Sequence, residues 1–373
     1  MRQLNHEKQY MTIAYTYLII AFAVSFIFSL MGTPFIVKMC NMHGIYDQPN
    51  TRKVHKQAIP RLGGTLFMPS MGLGVTTALL IILGDWDKGV EVSISAFVLS
   101  VGALLIYLIG ILDDIKGLKA TQKFVIQTVT ALFFPLCNLM INNLHGLFGI
   151  YEIPLWFSYP LTVFVILLIV NAMNLIDGID GLASSLAILI LGSFAYLYYD
   201  LGSVLFSLIS TGLAGALLAF FIYNYYGKVG NLKIFMGDSG SLFLGYVIAY
   251  LAIKYQMSNE SGGFPYREAS LLISFTLVFL PCIDVIRVAL QRKIRGRSMF
   301  EADKTHIHHR IMQMGLDMHQ TLAVILLLFL AICLINYGLY VYGLQVTWII
   351  LIDTLVYSIF IYSTGRLTFL QQH

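Results

Sequence analysis

The chain reads as a succession of apolar runs, each close to twenty residues long, separated by short polar stretches. A hydrocarbon core about 30 Å thick needs roughly 20 helical residues, and runs of that length recur from Tyr15 almost to the C-terminus. The pattern predicts eleven membrane-spanning helices, at residues 12–37, 63–83, 90–112, 122–142, 157–174, 181–199, 201–224, 241–257, 268–290, 320–343 and 346–365. Between the sixth and seventh, "YYDLG" leaves only a tight turn. Strand-like alternation, a water-soluble domain and an internal repeat are not visible. The expectation is therefore an all-α polytopic membrane protein, with residues 1–373 forming one membrane domain.

Composition agrees: 58% of residues are hydrophobic and 11% charged, against about 25% charged in soluble domains. The first run is too long for a signal-peptide core and lacks a small-residue cleavage site, so it reads as a retained helix. Cys40, Cys137, Cys282 and Cys333 are scattered without metal-type spacing and read as buried free thiols. Of the 23 Lys and Arg, all but Arg2, Lys8, Lys88, Lys254 and Arg267 fall in 38–61, 113–123, 226–240, 287–319 or at Arg366. Basic residues accumulate on the cytoplasmic side, which puts the N-terminus outside and the C-terminus inside. The net charge of +4, biased to that side, suits anionic lipid or a phosphorylated substrate.

The same topology collects the acidic residues at one membrane face. Asp113 and Asp114 end the third run in "GILDDIKGLKA", Asp177 and Asp180 lie in "NAMNLIDGIDGLA", and Asp238 opens the eighth run in "FMGDSGS". The basic, histidine-rich segment "RKIRGRSMFEADKTHIHHR" and the loop "DQPNTRKVHKQAIPRLGG" reach that face too. Each feature has an ordinary explanation: Asp177 and Gly178 can end one helix, Asp180 can cap the next, and Asp238 can be an N-cap. Together they need a counter-ion, since two like charges about 5 Å apart repel by roughly 3 kcal/mol at an effective dielectric of 20.

Aspartates without cysteine partners suit a hard cation, Mg²⁺ or alternatively Mn²⁺, which bridges a few carboxylates to substrate phosphates. Zinc through His306, His308 and His309 lacks a standard spacing. In "GNLKIFMGDSGS", Gly230, Gly237 and Gly240 offer close backbone approach, and the helix terminus offers N–H groups to phosphate. The Walker spacing is missing. Phe235 either stacks on a base or anchors the loop in the bilayer.

These five motifs, in this order from about Asp47 to Arg310, resemble the polyprenyl-phosphate N-acetylhexosamine-1-phosphate transferases. "PRLGG" and "HIHHR" look like the WecA and TagO branch rather than the related MraY branch. The resemblance implies a Mg²⁺-dependent transfer of a sugar-1-phosphate, GlcNAc-1-phosphate first of all, from a UDP-sugar to undecaprenyl phosphate, with UMP as the second product. It implies a multi-pass protein of the bacterial inner membrane with a cytoplasmic active site. No nucleic-acid partner is expected, and homodimers occur in the family.

By the same resemblance, Asp238 is the metal ligand, Asp113 orients or deprotonates the acceptor, and Asp114 supports metal or phosphate. Asn174, Asp177 and Asp180 match the donor-binding motif, with Lys56 and Phe235 near the nucleotide. His306, His308, His309 and Arg310 hold the diphosphate or sugar, and Lys123 meets the lipid phosphate unless it only snorkels. Outside these motifs, Asp284 has the spacing to pair with Arg287 along one helix face, and Asp353 reads as a buried hydrogen-bonding group. A transporter is the rival class, since intramembrane ionisable residues often mark transport pathways. Transporters place them near the midplane between repeats, unlike the one-face pattern here.

Overall fold

The computed structural model describes residues 2–49, 57–85, 94–229, 231–257, 266–298 and 305–372. Among them twelve α-helices follow in order: α1 Arg2–His43, α2 Phe67–Asp85, α3 Ile94–Lys116, α4 Ala120–Leu136, α5 Leu155–Ile176, α6 Leu182–Asp200, α7 Val204–Tyr226, α8 Gly237–Gln256, α9 Ser270–Ile294, α10 Ile307–Gln313, α11 Met318–Val341 and α12 Val346–Gln372. Nine helices among the described residues are long and apolar enough to cross a membrane. The protein is an all-α polytopic membrane protein. The nine correspond to nine of the eleven expected runs. The other two coincide with α4, which has only 17 residues, and α8, whose polar opening Gly237–Ser241 dilutes its apolar character.

The sequence pattern missed three elements. The short helix α10 follows the "RKIRGR" loop, and two antiparallel hairpins pair β1 Tyr46–Asp47 with β2 Ile59–Pro60 and β3 Asn143–Leu147 with β4 Ile150–Glu152. The second hairpin arises because the fourth run stops early. Asn138 takes a left-handed conformation (φ 57°) and the Leu139 N–H reaches back to the Phe134 carbonyl at 3.0 Å, a C-capping arrangement.

The described chain divides into two compact units. The first comprises the described residues of 2–49, 57–126 and 184–251. In it α1 packs against α2 and α7 through small residues, as expected where lipid removes the hydrophobic drive for helix association. Ser25 Oγ donates to the Ser70 carbonyl at 2.9 Å and Ser29 Oγ to the Ala216 carbonyl at 3.1 Å. A side chain at Gly215 would meet the Phe22 carbonyl at 2.5 Å.

Within this unit the loop before α2 docks on the loop before α8 by backbone bonds: Phe235 N–H to Pro60 O (2.7 Å), Gly63 N–H to Phe235 O (2.9 Å) and Gly64 N–H to Met236 O (2.8 Å). The approach is so close that a Cβ on Gly64 would lie 2.1 Å from the Gly240 Cα. Two motifs far apart in sequence, "PRLGG" and "FMGDSG", are thereby one piece of structure.

The second unit comprises the described residues of 127–183 and 252–372. Here α5 packs against α9, and the β3–β4 hairpin is fixed by the His145 ring, stacked on Tyr266 at 5.2 Å. Asp353 lies buried in α12 and accepts from Asn336 Nδ2 at 2.7 Å, while the same amide donates to Thr276 Oγ1 at 2.9 Å. The expected buried hydrogen bond of Asp353 thus ties α9, α11 and α12.

Gly64→Ala should destabilise the detergent-solubilised protein by about 1–3 kcal/mol or more, because backbone rather than a flexible side chain must give way. Gly72→Ala, which meets nothing within 4 Å, should leave the melting temperature nearly unchanged. Thermal unfolding of the two variants side by side checks this.

Candidate functional site

In the first unit, α3 ends within "DDIKG": Gly117 adopts φ +68° and its N–H bonds to the Asp113 carbonyl at 2.8 Å. Asp113 and Asp114 therefore occupy the last turn of a helix, where the dipole disfavours negative charge. Both carboxylates are buried and are stabilised by cations and N–H groups from elsewhere.

Asp114 Oδ1 accepts from Arg61 Nη2 (2.9 Å), Arg61 Nε (3.2 Å) and the Asp238 N–H (2.9 Å), and its Oδ2 accepts from the Ser239 N–H (2.9 Å). Asp114 is thus the cap of α8, supplied by another helix. Burial opposes the charge on Arg61, yet Asp114 holds the guanidinium above its usual range. Gly237 sits in the left-handed region (φ +71°), and a Cβ there would lie 2.5 Å from Asp114 Oδ2.

Two expectations change as a result. The α8 N–H groups of Asp238 and Ser239, offered by the sequence to phosphate, are already taken by Asp114. Gly237 and Gly240 serve close contact with protein, namely Arg61, Asp114 and Gly64, rather than approach to a ligand. Gly230 lies outside the described residues, as does Lys56.

Asp238 follows Gly237 in the first turn of α8. Its Oδ2 lies 2.7 Å from Lys123 Nζ, which also donates to Asp113 Oδ2 at 3.0 Å. Asp113 Oδ1 accepts from the Leu118 N–H at 2.6 Å. Two carboxylates from different helices thus converge on one ammonium near the start of α4. Among the described residues no three His, Cys, Asp or Glu side chains form a metal cluster. A pair of hard oxygen donors is nevertheless what Mg²⁺ uses when substrate phosphates and water complete its shell. Asp113 and Asp238 fit such an ion, whereas both Asp114 oxygens are committed to Arg61 and α8. Phe235 is half-buried, with its backbone fixed between Pro60 and Gly63.

In the second unit, α5 ends at Asp177 and α6 begins after Asp180 and Gly181, the latter at φ +79°. The local turn read from "DGIDG" is present. Asn171 Nδ2 donates to Gln127 Oε1 at 2.9 Å. Asn174 and Asp177 are half-buried and Asp180 is buried. A Cβ on Gly178 would lie 2.1 Å from His308 Nε2, so the "HIHH" segment rests directly on this turn.

His306 precedes α10, and its ring is parallel to that of His308 at 6.0 Å; His308 and His309 follow at 4.2 Å. His308 is 1% exposed, and neither of its ring nitrogens finds a hydrogen-bond partner among the described residues. Such orphaned buried groups call for an explanation, of which a ligand is one. Arg310 instead points along α12, donating to the Ile361 carbonyl at 3.2 Å. Burial and the neighbouring Arg287 charge pull its guanidinium below the usual range.

Sequence reasoning left Arg61, Asp284 and Tyr357 out of the site. The expected Asp284–Arg287 pair is present at 2.7 Å, and Asp284 also accepts from His306 Nδ1 and the Tyr357 hydroxyl. A carboxylate inside an apolar helix was the available signal for Asp284; for Tyr357, one hydroxyl among 22 tyrosines, there was none.

Burial first, and then the charges of His309 and His306, push the His308 imidazolium down to about 3. Its unfolded value is about 6.5. The stability this neutral ring contributes is complete above about 6.5 and is lost as pH falls from there toward about 3. The melting temperature should therefore drop between pH 7 and pH 4, and His308→Gln, which has nothing to titrate at that position, should show a shallower drop.

The family model for glycosyl transferase family 4 matches residues 96–256. A Bacillus subtilis (strain 168) protein named "Probable undecaprenyl-phosphate N-acetylglucosaminyl 1-phosphate transferase" is 34% identical over 83% of this chain and 82% of its own. The decaprenyl-phosphate N-acetylglucosaminephosphotransferase of Mycobacterium tuberculosis (strain ATCC 25618 / H37Rv) is 32% identical over 79% of this chain and 75% of its own. The undecaprenyl-phosphate alpha-N-acetylglucosaminyl 1-phosphate transferase of Escherichia coli (strain K12) is 26% identical, with coverages of 81% and 78%. With the carboxylate pair, the capped α8 and the histidine segment in place, this chain belongs to glycosyl transferase family 4.

Proposed function

We propose that the protein transfers GlcNAc-1-phosphate from UDP-GlcNAc to undecaprenyl phosphate at the cytoplasmic face of a bacterial inner membrane. The products are undecaprenyl-diphospho-GlcNAc and UMP. The observation that carries this reading is the convergence of Asp113 and Asp238 on Lys123, in a chain whose relatives are named for this transfer. These carboxylates stand at helix ends, the last turn of α3 and the first of α8, which suits an interfacial reaction better than a transport path.

In this reaction an oxygen of the lipid phosphate forms a bond to the sugar-proximal phosphorus, and the bond from that phosphorus to the bridging oxygen breaks, releasing UMP. Such phosphoryl transfer is mostly positioning and charge neutralisation. Asp113 and Asp238 would hold Mg²⁺, which supplies charge neutralisation at the diphosphate when bound. The Lys123 ammonium contributes a mobile positive charge for the acceptor phosphate. A phosphate monoester's second pKa is near 6, so the acceptor is largely dianionic at neutral pH and Asp113 is not needed as its base.

Asp114 belongs in this reading to the framework: with Arg61 it fixes the α8 terminus from which Asp238 projects. Asn174, Asp177 and Asp180 recognise the nucleoside and sugar, since an amide both donates and accepts and a carboxylate accepts from N–H and O–H groups. His306, His308 and His309 meet the diphosphate or sugar. The unpartnered nitrogens of His308 support that assignment.

Purified protein given undecaprenyl phosphate and a panel of UDP-sugars, with Mg²⁺ or a chelator, should release UMP and form lipid product with UDP-GlcNAc, and only with the metal. Asp238→Asn should lower UMP release by on the order of 100-fold or more while melting like the wild type. Full activity in that variant removes Asp238 from the reaction, and metal-independent turnover removes the Mg²⁺ assignment.

A further inference from the structure

Asp284 is 1% exposed in α9 and receives four hydrogen bonds. Its Oδ1 accepts from Arg287 Nη2 (2.7 Å), the Tyr357 hydroxyl (2.8 Å) and the Ile307 N–H (3.1 Å). Its Oδ2 accepts from His306 Nδ1 at 2.7 Å. An ionised carboxylate can only accept, so His306 carries a proton on Nδ1 and Nε2 is the ring nitrogen left to meet a ligand. The Ile307 bond satisfies the first N–H of α10, fixing the backbone from which His308 and His309 project.

The Arg287 and Tyr357 bonds, which tie α9 to itself and to α12, both go to Oδ1. The other oxygen is devoted to a histidine whose ring lies parallel to that of His308, the residue seated on the Gly178 turn.

We propose that Asp284 is a positioning residue for donor binding: it fixes the His306 tautomer and the start of α10, so that Nε2 of His306 faces the diphosphate or sugar of the UDP-sugar. This rests on the reading of the histidine segment as part of the donor site. Asp284 touches no substrate and acts through His306. Outer partners of ligating histidines typically change affinity or activity by about 10–100-fold when removed, which sets the scale of the effect.

The test combines calorimetric binding of UDP-GlcNAc to Asp284→Asn, His306→Gln and the double variant with ¹⁵N ring spectra of histidine-labelled protein, where His306 is the signal absent from His306→Gln. Binding should weaken by about tenfold or more in Asp284→Asn, and the double variant should bind no more weakly than His306→Gln alone. The wild-type His306 ring should carry its proton on Nδ1 and lose that preference in Asp284→Asn.

Normal binding by Asp284→Asn alongside weak binding by His306→Gln overturns the proposal and leaves the donor reading intact, as do additive losses in the double variant. Normal binding by His306→Gln overturns the donor reading and the proposal with it. If Asp284→Asn does not fold, the wild-type spectrum decides: a proton on Nε2 alone overturns the proposal.

Discussion

Asp114 sits at the negative end of one helix and caps the positive end of another, with Arg61 closing the arrangement from a third segment. A buried carboxylate in the last turn of α3 is unfavourable by itself; joined to the unpaired N–H groups of α8, it satisfies two costs at once. Breaking such a pair typically costs about 3–5 kcal/mol. Everything near Asp238 follows from it. The α8 terminus is capped from outside, Asp238 Oδ2 meets Lys123 in the same turn, and Gly237 holds the left-handed conformation that brings Asp114 within reach.

The histidine segment is built on a comparable principle in the other unit, with a different chemistry. Asp284 gathers Arg287, Tyr357, His306 and a backbone N–H around one buried carboxylate. His308 beside it is held neutral by burial and has no partner among the described residues. One acidic residue thus organises each polar cluster. Paired and hydrogen-bonded in this way, charged side chains keep their places in a helix bundle away from water.

Much of this was legible in the sequence. Apolar runs located the spanning helices because a membrane leaves backbone groups no partner outside the helix, and the DD, DGID, GDSG and HIHH motifs picked out residues that the structure gathers into polar clusters. What escaped were matters of pairing over long separations. "DD" does not announce that its second member caps a distant helix, nor does "GDSGS" announce that its glycines face "PRLGG". The β3–β4 hairpin escaped because Asn138 ends α4 by a backbone conformation that periodicity does not register. Asp284 escaped as a site residue because its i,i+3 arginine offered a complete local explanation.

The contact between Gly178 and His308 bears on how this sequence can vary. The imidazole lies where a Cβ on residue 178 would be, so the two positions cannot be chosen independently: any side chain at 178 evicts the ring. The DGID turn and the HIHH segment form a single unit of shape, although α6 to α9 separate them along the chain. A side chain at 178 should therefore be tolerated only with a smaller residue at 308, and the glycine between two aspartates is as much a part of the histidine motif as the histidines are.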